Sequence, residues 1–112
     1  MSSISSHALD TALGRPARNL PVRLDRLDDD GQWSTVSQAL TDDDGRIRRL
    51  APDDSVEAGT YRVTFDTKTY FGSSDRPVFY PQVDVVFVVE SDEHYHVPLL
   101  LSPFGYSTYR GT

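Results

Sequence analysis

Two of the three histidines in this 112-residue chain, His94 and His96, stand two positions apart beside the run Val97-Pro98-Leu99-Leu100-Leu101, and the third, His7, lies near the other end. Imidazole changes charge near neutral pH, so these residues are candidate general bases, proton carriers or metal ligands. In a strand, residues two apart face the same way at about 6.6–7 Å, which lets His94 and His96 address one site. Zinc with His7 as a third ligand is one reading, but the chain has no cysteine and no evident carboxylate to complete the set, so neither metal nor cofactor is expected. There is no Gly-x-Ser-x-Gly elbow, phosphate loop or dinucleotide fingerprint. The remaining chemistry is histidine as base, arginine as fixed cation and the hydroxyls of Ser, Thr and Tyr, a set suited to hydrolysis by activated water.

Eleven basic against seventeen acidic residues leave a net charge of −6, a poor surface for nucleic acid. Much of the acid lies in Asp28-Asp29-Asp30 and Asp42-Asp43-Asp44, each followed by Gly, which reads as solvated turn tips rather than calcium loops. Absence of cysteine fits a reducing compartment. Met1 to Ser6 has neither the basic nor the apolar part of a secretory signal, and no stretch approaches the ~20 apolar residues of a membrane span. A single cytoplasmic domain over residues 1–112, with no membrane contact, is the expectation.

Helical periodicity is nearly absent, and short runs of β-branched and aromatic residues recur between turn signals. The expected strands are Ser3 to Leu9, Leu20 to Leu27, Gln32 to Leu40, Arg46 to Arg49, Thr60 to Asp66, Val83 to Glu90, His94 to Leu101 and Tyr106 to Arg110. Gly14-Arg15-Pro16-Ala17 ends the first of them, and Pro52-Asp53-Asp54 punctuates the middle. Thr67 to Gly72 is the one expected helical piece, stopped by Gly72-Ser73-Ser74. Leu20, Val22 and Leu24 share a buried face opposite a wet one holding Arg23 and Asp25, whereas Val85 to Val89 is apolar on both faces. Pro98 cannot donate to a ladder and argues for an edge or a bulge. About eight strands at spacings of roughly 8–12 residues make an all-β sandwich.

Four segments carry a more specific signal: His7 through Ala17, Asp44-Gly45-Arg46, Phe79-Tyr80-Pro81, and His94 through Gly111. In this order and over nearly the whole chain they resemble the 5-hydroxyisourate hydrolases, transthyretin-like enzymes of urate breakdown. The resemblance implies a transthyretin-like sandwich of two four-stranded sheets with one short helix, assembled as a homotetramer around a central channel. It places the family's catalytic positions on His7, Arg46 and His96, and its terminal Tyr-Arg-Gly-Ser signature on Tyr109, Arg110, Gly111 and Thr112. Thr112 departs from the usual Ser, keeping the hydroxyl and adding a methyl. Transthyretin, the hormone carrier of this fold, has no histidine at the positions matching His7 and His96 and lacks the Tyr-Arg-Gly ending.

The implied reaction opens the ring of 5-hydroxyisourate at an acyl–nitrogen bond, giving 2-oxo-4-hydroxy-4-carboxy-5-ureidoimidazoline on the route to allantoin. The Arg46 cation would keep a neighbouring imidazole neutral and hold an electron-rich carbonyl. His7 is taken as the principal base with His96 orienting water or relaying a proton, and the reverse order is open. Tyr109, Ser107 and Thr112 are expected to contact substrate, with Ser107 as a covalent nucleophile disfavoured because no base is fixed beside it. His94 is expected to support rather than react, and Arg110 to pair with an acid or to stand as a surface cation. Two rival readings are a non-catalytic carrier of a small aromatic ligand and a β-sandwich interaction module.

Overall fold

The computed structural model describes residues 2–52 and 56–112. Among them run β1 (Ser3–Asp10), β2 (Arg15–Pro16), β3 (Pro21–Leu27), β4 (Trp33–Leu40), β5 (Arg46–Ile47), β6 (Gly59–Phe65), helix α1 (Thr67–Gly72), β7 (Val83–Val89), β8 (His94–Ser102) and β9 (Gly105–Thr108). One sheet has the order β4-β3-β6-β7; the other has β2-β1-β8-β9, with β5 paired to β1. The expected two-sheet sandwich is therefore present, with five strands rather than four on the second side. From Asp53 on, the turn expected at Pro52-Asp53-Asp54 lies outside the described residues.

Burial alternates along the strands that face the core. Ile4, Ala8, Tyr95, Val97, Leu99 and Leu101 project from the β1–β8 sheet toward Leu24, Tyr61, Val63 and Phe65 of the other, all of them buried. Each fully buried Leu or Phe contributes about 1.5–3 kcal/mol relative to an exposed one, so this interior holds the sheets in fixed opposition. Two polar anchors accompany it. Asp10, fully buried, accepts from Tyr70 Oη at 2.7 Å and Arg76 at 2.6 Å, tying α1 and the segment after it to β1. Asp66 caps α1 by accepting from the Thr69 N–H at 3.1 Å.

Several expected boundaries shift for identifiable reasons. Arg15-Pro16 does not simply end the first strand; after the turn at 11–14 it returns as β2, pairing Leu9 with Pro16 and Asp10 with Arg15. The strand expected over Arg46 to Arg49 is only Arg46–Ile47, and the last one ends at Thr108 rather than Arg110. Asp25, assigned to a wet face, is 2 % exposed, because Arg62 at 2.8 Å and Arg23 at 3.1 Å cover it. In β7 the valines at Val86 and Val88 are exposed despite the apolar run, because they alternate with Val85 and Phe87 and so stand on the face turned away from the core.

Pro98 is neither at a sheet edge nor in a bulge, since β8 lies between β1 and β9. Its carbonyl accepts from Thr108 Oγ1 at 2.7 Å on the β9 side, and its ring nitrogen faces that same side by alternation. There the ladder pauses between the Leu99–Thr108 pair and the isolated His96–Gly111 bridge, so no donor is missed.

Candidate functional site

Strand register assembles the candidate residues. β5 runs antiparallel to β1 with Arg46 opposite His7, and β8 runs parallel to β1 with Ser3 opposite His94 and Ser5 opposite His96. Directly opposed residues share a face. His7, Arg46, His94 and His96 thus belong to the outward face of this sheet, whose other face packs the core.

Arg46 is delivered by the turn at Asp42-Asp43-Asp44-Gly45. The Asp42 carboxylate accepts from the backbone N–H of Asp44 and of Arg46, each at 2.9 Å, and these bonds, the Arg46 one foremost, hold it below the usual carboxylate range. Gly45 has φ +75°, and a side chain there would collide with the Ala8 carbonyl oxygen. Its own carbonyl accepts from the Ala8 N–H at 2.8 Å, so the turn is stitched to β1 beside His7.

His7 Nε2 lies 2.9 Å from the Asp44 carbonyl oxygen. A carbonyl only accepts, so Nε2 donates in this contact and Nδ1 is the ring nitrogen left for other partners. His96 is half-buried, with Nδ1 2.7 Å from Ser5 Oγ. Burial first, then the charges of His7, His94 and Arg46, lower its pKa below the ordinary 6.5, which leaves a neutral imidazole at pH 7.

A cleft of about 280 Å³ on this face is lined by Ser5, Arg46, Arg48, His94, His96 and Thr112 among others. It brings together three of the sequence-predicted residues, Arg46, His96 and Thr112. His7 is not part of its lining but borders it through the register with Arg46. Ser107, paired with Leu100, is exposed and outside the cleft. Tyr109 is 58 % exposed and lines a neighbouring cavity of about 360 Å³ with Val85, Phe87, Val97 and Arg110, which His96 also borders. Arg110 forms an exposed ion pair with Glu93 and stands over the Tyr95 ring at 4.7 Å. A larger hollow of about 580 Å³ lies on the other sheet around Val22, Gln38, Thr64 and Lys68, and no histidine lines it.

Sequence reasoning passed over Ser5, which bonds His96 and also His94 Nε2 at 2.7 Å. The period-two series Ser3, Ser5, His7 was the available signal, matching the spacing of His94 and His96. Gly111 was quoted only as part of the tail signature, yet its N–H donates to the His96 carbonyl at 2.9 Å. Among the described residues, no group of three or more His, Cys, Asp or Glu side chains is arranged to hold a metal ion.

A family model described as the HIUase/Transthyretin family matches residues 4–111. The chain belongs to this family. It is 46 % identical over 110 residues to 5-hydroxyisourate hydrolase of Salmonella dublin, covering 97 % of this chain and 80 % of the relative. The solved 5-hydroxyisourate hydrolase of Klebsiella pneumoniae superimposes with a TM-score of 0.89 at 34 % identity, covering all of both chains. The transthyretin of Sparus aurata gives 0.92 at 34 % identity over 97 % of this chain and 96 % of that one. Backbone shape alone therefore does not separate the branches of the HIUase/Transthyretin family; the side chains on the outward face have to.

Proposed function

We propose that this chain hydrolyses 5-hydroxyisourate to 2-oxo-4-hydroxy-4-carboxy-5-ureidoimidazoline, acting as one domain over residues 1–112 through His7, Arg46 and His96. The observation that carries the reading is a neutral imidazole, His96, in the same cleft as the Arg46 guanidinium, with His7 directly opposite Arg46. A purely apolar ligand gains nothing from such a lining. A planar, electron-rich ring gains a fork of donors from Arg46 and a second cation from Arg48.

In this mechanism an imidazole takes a proton from water as the oxygen attacks the acyl carbon. Arg46 stabilises the oxyanion, the carbon–nitrogen bond breaks, and the proton passes to the departing nitrogen. Of the two orders left open by the residues, His96 as base is favoured by its place in the cleft lining and its lowered pKa, with Nε2 the ring nitrogen not taken by Ser5. His7, its Nε2 committed to Asp44, offers Nδ1 to orient the water.

The same reading places four copies around a central channel, in the cytoplasm, with Tyr109, Ser107 and Thr112 meeting the substrate from the tail. Its support is the outward-facing cleft together with the exposure of Tyr106, Tyr109, Val86 and Val88, a surface that a second copy would cover. No helix among the described residues is long and apolar enough to cross a membrane.

The test generates 5-hydroxyisourate with urate oxidase and follows its decay. Decay well above the spontaneous rate, unchanged by a strong chelator, is expected; decay at the spontaneous rate from an assembled sample contradicts the proposal.

A further inference from the structure

Four side chains on the outward face form one unbroken line. Ser3 Oγ lies 2.6 Å from His94 Nδ1, His94 Nε2 lies 2.7 Å from Ser5 Oγ, and Ser5 Oγ lies 2.7 Å from His96 Nδ1. The β1–β8 register causes this, since Ser3 and Ser5 stand opposite His94 and His96 with the same two-residue period. The two rings are held 6.5 Å apart and nearly parallel, at 21°, with the Ser5 hydroxyl bridging them.

A hydroxyl has one proton, so Ser5 must donate to one ring and accept from the other. Only two arrangements satisfy the whole line with neutral rings. In one, His96 Nδ1–H donates to Ser5, Ser5 donates to His94 Nε2, and His94 Nδ1–H donates to Ser3. In the other every proton is displaced by one bond, so that Ser3 donates to His94, His94 to Ser5, and Ser5 to His96. The first leaves His96 Nε2 as a free base, and the second leaves it carrying a proton. Conversion between them is one concerted shift along the line.

We propose that Ser5, His94 and Ser3 are a proton relay that resets His96 during hydrolysis, a role that rests on His96 being the base. Water gives its proton to His96 Nε2, the Nδ1 proton moves to Ser5 Oγ, and the Ser5 proton moves to His94 Nε2. The His94 Nδ1 proton then moves to Ser3, whose own proton goes to solvent. When His96 Nε2–H protonates the departing nitrogen, the line runs back and takes one proton from solvent, so water is added across the bond with no net proton change. His96 never has to hold a full positive charge beside Arg46 and His7, a charge that its lowered pKa disfavours. His94 and Ser3 are exposed, which gives the line an exit to water.

Orientation of His96 by Ser5 alone would account for the Ser5–His96 bond but gives His94 no part, so His94 decides. His94→Gln keeps an amide within reach of Ser5 but cannot pass a proton between two ring nitrogens. The expected result is a fall in kcat of about tenfold or more with KM unchanged and an altered solvent deuterium isotope effect on kcat. His94→Ala should fall similarly and recover with added imidazole, and Ser5→Thr should retain activity that Ser5→Ala loses. His94→Gln with the parent kcat and isotope effect, beside an inactive His96→Ala, overturns the relay and leaves His96 as base. An active His96→Ala overturns both.

Discussion

Gly111 closes directly on the His96 ring: a β-carbon added to it would collide with Cδ2 and lie 3.1 Å from Cγ, while its N–H donates to the His96 carbonyl at 2.9 Å. The tail thus fixes both the backbone and the ring position of a site residue. Gly111→Ala must push the ring or the tail aside. Because the strain falls at a half-exposed surface position, the expected outcome is a melting temperature within a few degrees of the parent, measured by thermal unfolding. Turnover of 5-hydroxyisourate should fall by about 10²-fold, the order expected when a reacting group is displaced by about 1 Å.

Arg46 acts on charge in two ways, and they separate in a pH profile. Loss of a preorganised donor to a developing oxyanion costs about 10²–10³ in kcat, so Arg46→Gln should fall by that order at its optimum. Its cation also contributes to the lowered pKa of His96, behind burial and the two other histidines. A base works only when neutral, so parent activity should persist below pH 6.5 and decline as pH falls through the His96 value. In Arg46→Gln that acid limb should move upward, modestly because burial remains the larger cause. A limb that stays or moves downward would show that Arg46 does not act on His96.

Asp10 offers a test of stability far from the chemistry. Burial alone would raise its carboxyl, but hydrogen bonds from Arg76, Tyr70 and the Leu13 N–H outweigh that and hold it below the ordinary 3.8. Its own burial first, and then the same carboxylate, push the Tyr70 hydroxyl up to about 12. A depressed carboxylate stabilises the fold fully above its unfolded value, and the benefit is lost as pH falls through the folded one. Asp10→Asn leaves the Arg76 guanidinium without its counter-charge, so denaturant unfolding at pH 7 should show a loss of about 3–5 kcal/mol. The difference from the parent should narrow below pH 4.

What the residues revealed of the fold, and what they withheld, follows from the range of each signal. The alternation of Tyr61, Val63 and Phe65 marks a half-buried strand, and α1 falls on Thr67–Gly72 as its residues indicate, because both signals are local. β2 was missed because Arg15 and Pro16 pair only through β1, which composition does not encode. Pro98 was misplaced because the gap in the ladder beside it depends on where Gly111 returns. For the site, the motifs named Arg46, His96 and Thr112, which share a cleft, and His7, which stands opposite Arg46. For Ser5 the only sequence signal was the two-residue period it shares with Ser3 and His7, and its part needed the parallel register of β1 on β8, a long-range pairing, to be read.

The most direct measurement compares the decay of freshly generated 5-hydroxyisourate in the presence of the parent protein and of His96→Ala, with circular dichroism and oligomer size matched. Acceleration by the parent and a loss of about 10²-fold or more in the variant are the expected results. Equal rates from two equally folded samples would contradict the assignment of water activation to His96, and a parent rate no faster than spontaneous decay would contradict the hydrolase itself.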